Sequence, residues 1–253
     1  MSTTQMQIVL EEDKHWWFAS RTRAILGLLD RFLPADPQRL VLDVGCGAGN
    51  MAHHLAHYGR VIGIDPNSKP LRVARQRGLE VREGSADALP FADASFGLVA
   101  LLDTVEHVPN ETGVFAECYR VLRPGGHLLI TVPALMALWS QNDVLNAHQR
   151  RYTAPELASK LQQQDFQVLH KSYNNFFIFP LAASLILLRR GRAEPKLASP
   201  HFDDEAYQVE MEAASPLVNT VLTGVGKVEA ALVRRLALPI GTSIICLARK
   251  PLR

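Results

Sequence analysis

Two carboxylates and three glycines in the first third of the chain have the types and spacing to bind a nucleotide-type cofactor. Asp43 lies inside an apolar segment, Gly45, Gly47 and Gly49 form a turn directly after it, and Asp65 ends the next apolar segment. Glycine lacks a Cβ, so these positions permit positive φ angles and close approach of a ligand to the backbone. At the tip of the second strand of a βαβ unit, Asp65 can accept hydrogen bonds from both ribose hydroxyls.

The glycine spacing distinguishes two cofactors. A dinucleotide site shows G-x-G-x-x-G, with the pyrophosphate on the helix amides, but here the third glycine comes one residue early and Asn50 takes its place. Asp43 would repel a pyrophosphate, whereas it suits a ligand that carries an ammonium group and a sulfonium. The pattern favours S-adenosylmethionine over NAD, and an NAD-dependent oxidoreductase is the least favoured alternative.

Later segments agree with this interpretation. A short strand at 79–83 precedes a loop in which Asp87 can accept from an adenine amino group while neighbouring amides meet the ring nitrogens. The apolar run 95–102 is typical of a strand covered on both faces, and a Pro-Gly-Gly turn at 124–126 leads into another buried strand.

This series of motifs resembles the class I S-adenosylmethionine-dependent methyltransferases, particularly the branch that includes ubiquinone and menaquinone biosynthesis methyltransferases. The resemblance covers residues 40–132, with weaker agreement to 173. It implies that the glycine loop wraps the methionine end, that the two aspartates support the ammonium group and the ribose, and that the later segments hold the adenine and close the pocket beneath the sulfonium. The implied cofactor contacts are Asp43, Gly45, Gly47, Gly49, Asp65, Ala86, Asp87 and Leu102.

Strands and helices alternate along the chain, which predicts an α/β fold with a parallel sheet. The strands are expected at 39–44, 60–65, 79–83, 96–102, 126–132, 166–173 and 242–250. The resemblance implies a Rossmann-like seven-stranded methyltransferase sheet with helices on both faces. We divide the chain into an N-terminal helical lid (1–38), a cofactor-binding core (39–173), a mainly helical insertion (174–241) and a final core strand with a tail (242–253).

The insertion separates the last two strands, which a short turn joins in the family resembled. Its apolar run 176–188 is shorter than the roughly twenty residues of a transmembrane helix, and Arg189, Arg190 and Arg192 follow it. We favour a buried helix with these cations in its last turn and Gly191 as its C-cap; the alternative is a segment, 176–192, that lies in a membrane interface. With a second amphipathic helix at 216–236, the insertion is expected to form a substrate lid or a homodimer interface.

Candidate catalytic residues follow the fourth strand. Asp103, Glu106 and His107 lie at i, i+3 and i+4, so a helical turn would place them on one side. His107 is predicted to take a proton from the acceptor, and Asp103 to contact the acceptor. Some O-methyltransferases of quinone biosynthesis resemble this segment and bind a divalent cation here, but Asp103 replaces the expected glutamate, so our preferred interpretation has no metal. A structural pair of Glu106 and His107 is an equal alternative.

A second polar cluster follows the fifth strand, where open parallel sheets build their binding crevices. Arg150 and Arg151 are predicted to grip a carboxylate or phosphate of the acceptor, with His148 or Tyr152 as alternative bases. The alternative is that Arg151 and Tyr152 only order the loop and cap the next helix. Trp16 lies off the core stripe of a leading helix at 11–33 and is predicted to close over the pocket.

Composition limits the function classes. A net charge of +2 in 253 residues does not indicate a nucleic-acid partner, and three cysteines without paired spacing suggest neither a disulfide framework nor a cysteine-based zinc site. The N-terminus lacks the pattern of a signal peptide, so we expect a cytoplasmic protein, peripheral to the membrane if 176–192 contacts it.

These observations predict a methyltransferase that moves the methyl of S-adenosylmethionine to an oxygen of a small, amphipathic or anionic molecule and releases S-adenosylhomocysteine. N- or C-methylation and a non-catalytic cofactor-binding module are the alternatives.

Overall fold

The computed structural model describes residues 11–188 and 215–252. The strands are β1 (Leu40–Val44), β2 (Arg60–Asp65), β3 (Glu80–Glu83), β4 (Phe96–Leu102), β5 (Leu122–Pro133), β6 (Gln167–Asn174) and β7 (Ser243–Arg249). The helices are α1 (Trp16–Phe32), α2 (Ala52–Leu55), α3 (Ser68–Gln76), α4 (Glu111–Val121), α5 (Gln141–Leu145), α6 (Ala154–Gln162), α7 (Phe179–Leu188) and α8 (Pro216–Val233). Short 3₁₀ helices lie at Glu11–Lys14, Val105–His107 and Met136–Leu138.

The strands form one seven-stranded sheet in the order β3-β2-β1-β4-β5-β7-β6. The first five pair in parallel, and β7 lies antiparallel between β5 and β6. This confirms the predicted fold class. The strand order reverses between β1 and β4, and the carboxyl ends of strands at such a reversal form the crevice in which open α/β sheets bind ligands.

The core has two parts, one on each face of the sheet. Strand β4 is buried in all seven residues, as its continuous apolar run predicts. On one face, α4 and α6 contribute Phe115 and Leu157, and on the other α1 contributes Leu28 and Leu29. Thr153 and Glu156 form the capping box that the sequence predicts at the start of α6.

The leading helix begins later than predicted. Its first residue is Trp16, because the ring of His15 accepts a hydrogen bond from the Trp17 amide and caps the helix at 3.2 Å. Ala24, Ile25, Leu28 and Leu29 are buried as the apolar stripe predicts, whereas Trp17 and Phe32 are only half-buried.

Both helices that the sequence predicts between β6 and β7 are present, but they are buried to different extents. Helix α8 packs along α1, and its Gly226 lies so close to Ser20 that a side chain there would collide with it. The described part of the chain buries no residue of α7, so the favoured interpretation of a buried helix is wrong. The arginines at 189, 190 and 192 and Gly191 lie outside the described residues. None of the described helices is long and apolar enough to cross a membrane.

Candidate active site

The glycine loop turns sharply at the carboxyl end of β1. Gly45, Gly47 and Gly49 have φ angles of +75°, +53° and +79°, a region that L side chains rarely adopt. The Gly45 amide donates to the Ile64 carbonyl at 2.7 Å, which ties the loop to the end of β2. A Cβ on Gly45 would lie 2.5 Å from the Thr104 side chain, so this glycine also permits a close contact with the segment after β4.

Asp65 fits the predicted contact with a ribose. Its two carboxylate oxygens accept from the Gly47 amide at 3.0 Å and from the Asn67 amide at 2.8 Å, which fixes the carboxylate beside the glycine loop. Burial raises the pKa of Asp65, and the two amide donors oppose that shift. Each oxygen keeps a further lone pair for a ligand hydroxyl.

Asp43 is 3% exposed, and burial raises its pKa to about 7. The charge of Arg21 lowers that pKa and the charge of Asp65 raises it. Water solvates this carboxyl poorly, so a cation that arrives beside it would favour its ionised form strongly. An ammonium group is such a cation.

The residues predicted to hold an adenine lie after β3. The Gly84 amide donates to the Asp65 carbonyl at 3.1 Å, so this loop starts beside the candidate ribose contact. Ala86 is buried, while Asp87 is half-exposed and accepts a hydrogen bond from Ser85. Leu102, the last residue of β4, is 8% exposed.

Asp103 does not join Glu106 and His107. Its Oδ2 lies 2.7 Å from Arg21 Nη2, and its Oδ1 accepts from the Thr131 hydroxyl at 3.0 Å. These bonds hold Asp103 against α1, so the weaker alternative of a metal bound by Asp103, Glu106 and His107 does not fit its placement. The same bonds occupy both oxygens of Asp103, the carboxylate that the sequence predicts to contact the acceptor. The group near Asp103 that could hold a metal ion is instead Glu106, His107 and His148, whose ligand atoms lie within 4.8 Å of one another.

Glu106 is fully buried, and neither of its carboxylate oxygens has a hydrogen-bond partner among the described residues. Burial raises its pKa well above the usual value, and the charge of Asp103 adds to the shift. Burial therefore favours the neutral form of this carboxyl, and a cation bound beside it would favour the ionised form.

His107 and His148 contact each other, although 40 residues separate them; their ring centroids are 4.7 Å apart. His148 Nδ1 lies 2.8 Å from Asp143 Oδ1. Burial and the neighbouring His148 lower the pKa of His107. The structure thus brings together the two histidines that the sequence offers as separate candidates for the base.

The sequence prediction did not include Asp143, which organises this loop. It is 1% exposed; burial alone would raise its pKa, but hydrogen bonds from His148 and Arg151 lower that pKa to about 2. A signal was present, because Ser140 and Asp143 have the spacing of a capping box and both of its hydrogen bonds form at the start of α5.

Arg151 and Tyr152 have structural partners. Two nitrogens of Arg151 bind the two oxygens of Asp143 at 2.8 and 2.9 Å, so this side chain orders the loop rather than facing an acceptor. Tyr152 is fully buried, donates to Glu111 at 2.7 Å, and has a raised pKa because of burial and this bond. The side chain is therefore held as a protonated phenol that faces Glu111 and not an acceptor, which does not fit the predicted role as a base. Arg150 lies 3.3 Å from Glu111 and keeps partial exposure.

Trp16 is placed by the insertion. Its backbone amide donates to Asn219 of α8 at 2.9 Å. Its side chain is half-buried and lines a small cavity with Asn175, Ile178 and Leu222. The predicted lid residue therefore belongs to the contact between α1 and the insertion.

Comparison with known proteins agrees with the fold. A family described as "Methyltransferase domain" matches residues 42–130. The chain is similar to a probable S-adenosylmethionine-dependent methyltransferase of Mycolicibacterium smegmatis, with 32% identity over 62% of this chain and 61% of the relative. It is also similar to the ubiquinone biosynthesis O-methyltransferase of Hahella chejuensis, with 41% identity over 38% of this chain and 44% of the relative.

Among solved structures, the [4+2]-cyclase SpnF has the same fold, with a TM-score of 0.59 and 20% identity over 94% of this chain and 82% of that chain. At this identity the likeness concerns the fold alone. The chain spans less than two thirds of the length of the two curated relatives.

Proposed function

The chain carries a class I S-adenosylmethionine-dependent methyltransferase domain, and on that premise we propose that it transfers the methyl group of S-adenosylmethionine to a hydroxyl oxygen of a small molecule. The observation that carries the cofactor assignment is the crevice at the ends of β1 and β2. A buried carboxyl at Asp43, a glycine loop with positive φ angles and a fixed carboxylate at Asp65 suit an ammonium group, a close backbone approach and a ribose.

Two other sets of residues complete the proposed cofactor site. Ala86 and Asp87 would hold the adenine ring, because their loop starts beside Asp65. The backbone at Leu102 would close the pocket beneath the sulfonium, at the carboxyl end of the strand next to β1.

We propose His148 as the general base. Asp143 accepts from Nδ1 and so leaves the Nε2 lone pair available, which is how a carboxylate fixes a catalytic imidazole. When bound, S-adenosylmethionine would supply the methyl group to the acceptor oxygen and leave as the neutral thioether S-adenosylhomocysteine. Nε2 of His148 would take the proton of the acceptor hydroxyl as the oxygen–carbon bond forms and the carbon–sulfur bond breaks. His107 borders the base, and Arg150 at the loop surface would meet an anionic group of the acceptor.

Oxygen is the favoured acceptor atom for two reasons. A histidine oriented by a buried carboxylate suits the removal of a hydroxyl proton. The relatives from ubiquinone biosynthesis are named as O-methyltransferases. N- and C-methylation remain alternatives, and the cyclase with this fold illustrates that the fold alone does not define the reaction.

A divalent cation is the second candidate for activating the acceptor hydroxyl. One observation favours it: the carboxyl of Glu106 has no hydrogen-bond partner among the described residues. Glu106, His107 and His148 offer one carboxylate and two imidazoles, a donor set that suits zinc. A cation bound there would lower the pKa of an acceptor hydroxyl.

The test uses methyl-labelled S-adenosylmethionine with lipid and aqueous extracts as acceptor sources, before and after treatment with a chelator. We expect labelled product, and in His148→Gln a fall in kcat of about 100-fold with little change in the affinity for S-adenosylhomocysteine. His57→Gln, an exposed histidine after α2, is the control. Tight binding of S-adenosylhomocysteine without product from any extract would support a non-catalytic module. Loss of activity on chelation would indicate that a bound cation, and not His148 as a base, activates the acceptor hydroxyl.

The insertion supports an amphipathic acceptor at a membrane surface. Leu181, Leu185 and Leu188 of α7 are 65%, 41% and 74% exposed, and Leu217 and Val221 of α8 are 75% and 56% exposed. In the sequence, three arginines follow α7 within four residues. Exposed apolar residues next to cations are the composition that anionic membrane interfaces attract.

Flotation with phosphatidylcholine vesicles, with and without phosphatidylserine, tests this contact. We expect binding that requires phosphatidylserine and is lost in Leu181→Glu, but not in Leu252→Glu, a control at another leucine that is 78% exposed. If the chain does not bind vesicles but is a dimer in solution, and Leu181→Glu makes it a monomer, the surface is a homodimer interface. If the chain is a monomer and Leu181→Glu changes only the KM for the acceptor, the surface is a substrate lid.

A further inference from the structure

A second group of side chains that could hold a metal ion shares no residue with the group in the candidate active site. Asp13 comes from the 3₁₀ helix before α1, and His53 and His54 come from α2, which follows the glycine loop. Asp13 Oδ1 lies 2.9 Å from His54 Nε2, and Asp13 Oδ2 lies 3.3 Å from His53 Nε2. The ligand atoms of all three residues lie within 4.8 Å of one another.

These distances suit a zinc ion. Zinc binds nitrogen and oxygen ligands at about 2.0–2.1 Å in a tetrahedron, so its ligand atoms are about 3.3 Å apart. One oxygen of Asp13 lies 3.3 Å from His53 Nε2 and the other lies 2.9 Å from His54 Nε2. A side-chain rotation that turns one of these oxygens toward both rings would let three ligand atoms face one ion. Three protein ligands leave one position of the tetrahedron for water.

The surroundings also suit an ion. The side chains of Asp13, His53 and His54 are 26%, 25% and 21% exposed, so an ion can enter from solvent and is then largely shielded from it. The two imidazole rings lie with their centroids 3.7 Å apart, which directs both rings to the same carboxylate although the residues are consecutive. A neutral imidazole and a carboxylate are ligands that zinc accepts without further deprotonation.

We propose that Asp13, His53 and His54 bind a zinc ion that joins the segment before α1 to α2. The site would connect parts of the chain that are 40 residues apart. A second, weaker contact joins the same two regions, because the Thr22 hydroxyl of α1 lies 3.7 Å from the Met51 sulfur before α2. The ion would therefore hold the leading helix against the segment that follows the glycine loop. This inference does not depend on the reaction proposed above.

Cobalt is the probe, because Co²⁺ occupies zinc sites and absorbs visible light strongly when its coordination is tetrahedral. The full chain is freed of metal with a chelator and titrated with Co²⁺, and then with Zn²⁺ in competition. We expect one tetrahedral Co²⁺ spectrum that zinc displaces. In Asp13→Asn and His53→Gln the affinity should fall about 100-fold or more, since even the partners of metal ligands contribute 10–100-fold.

Two further variants locate the metal. His148→Gln removes a ligand from the group in the candidate active site, and His57→Gln removes a nearby exposed histidine; both should keep the cobalt spectrum. Saturating zinc should raise the Tm of the unaltered chain and of His57→Gln, but not of Asp13→Asn. Binding of S-adenosylhomocysteine by Asp13→Asn would check that this variant folds.

Two results would overturn the proposal. Cobalt binding that persists in Asp13→Asn and disappears in His148→Gln would place the metal at Glu106, His107 and His148. Absence of tetrahedral cobalt in the folded, unaltered chain would mean that Asp13 and the two histidines only form hydrogen bonds.

Discussion

Two regions depart from the usual rule that polar groups are exposed and apolar groups are buried. The crevice at the strand ends buries polar groups, and the insertion between β6 and β7 exposes apolar groups. In the crevice, Asp43 and Glu106 are carboxyls almost without exposure. In the insertion, Leu181 and Leu217 are mostly exposed. Each arrangement costs free energy in the isolated chain, and each is offset when a ligand or partner of the complementary type arrives. The comparison teaches that unfavourable solvation marks both candidate sites, with opposite polarity.

The two regions also differ in how they are held. Parallel strands in register fix the crevice, whereas hydrogen bonds to one buried side chain hold the start of the insertion. Glu229 of α8 is 4% exposed and accepts from the backbone amides of Asn175 and Phe177. Changes in the crevice should therefore alter cofactor binding, and changes in the insertion should alter stability or surface contacts without altering cofactor binding.

The largest effect is expected from Gly45→Ala. The new Cβ would meet Thr104 and require a positive φ, which we expect to cost about 3–4 kcal/mol of unfolding free energy and to weaken S-adenosylhomocysteine binding more than 100-fold. Gly47→Ala is the matched control, because its Cβ would meet nothing within 4 Å and only the φ cost remains. Chemical denaturation and calorimetry measure the two quantities. Equal losses in both variants would contradict the role of the Thr104 contact.

Glu229→Ala should have the next largest effect. The buried amide of Asn175 and the partly buried amide of Phe177 lose their acceptor, which costs about 2–3 kcal/mol of unfolding free energy. Lys227→Ala, at an exposed position of the same helix, should change stability little. Cofactor affinity should be unchanged in both variants. A Glu229→Ala chain that folds normally but binds S-adenosylhomocysteine poorly would show that the two regions are coupled.

Asp43→Asn tests the electrostatics of the crevice. The pKa of Asp43 in the free protein is about 7, above its usual value, so the carboxyl becomes protonated as the pH falls and its attraction for an ammonium group is lost. The affinity for S-adenosylmethionine should fall about 10–30-fold as the pH is lowered from about 7.5 to about 5, and then level off near the affinity of Asp43→Asn. In Asp43→Asn the affinity should be about 10–30-fold weaker than in the unaltered chain at about pH 7.5 and independent of pH in this range. A parallel slope in the variant would assign the proton to another group.

The smallest effect on stability is expected from Leu181→Glu in α7. The residue is 65% exposed, so its change should alter the unfolding free energy by no more than about 0.5 kcal/mol. Val233→Ala in α8 is the contrast, because that side chain is fully buried and its truncation should cost about 2 kcal/mol. Denaturant unfolding measures both. A large loss in Leu181→Glu would mean that α7 is covered in solution.

The sequence predicted well the parts that depend on local pattern. Strand β2 has the predicted bounds, since turn residues flank it, Gly59 on one side and Pro66 and Asn67 on the other. Strand β4 was recognisable from an unbroken apolar run. The glycine loop was predictable because glycine adopts positive φ without steric cost. The capping box of Thr153 and Glu156 likewise depends only on residues three apart.

Contacts between distant residues were not predictable. His107 meets His148 because two loops leave neighbouring strands at the same edge of the sheet, and spacing along the chain does not record this. Arg151 and Tyr152 have the chemistry of site residues, but their partners Asp143 and Glu111 decide their roles. The apolar run of α7 indicated a helix correctly and its burial wrongly, because hydrophobicity does not specify which surface covers a helix.

The position of β7 affects how a newly synthesised chain reaches its fold. Among the described strands β6 pairs only with β7, and β7 also pairs with β5, so residues 243–249 connect the two. Until residues 243–249 have been made and released from the ribosome, the edge of β5 that pairs with β7 has no partner, while the leucines of α7 precede these residues in the chain. An unpaired edge together with exposed apolar groups is prone to aggregate. We therefore expect a nascent chain that stalls before Ser243 to be prone to aggregate, and pairing of the last described strand to end this period.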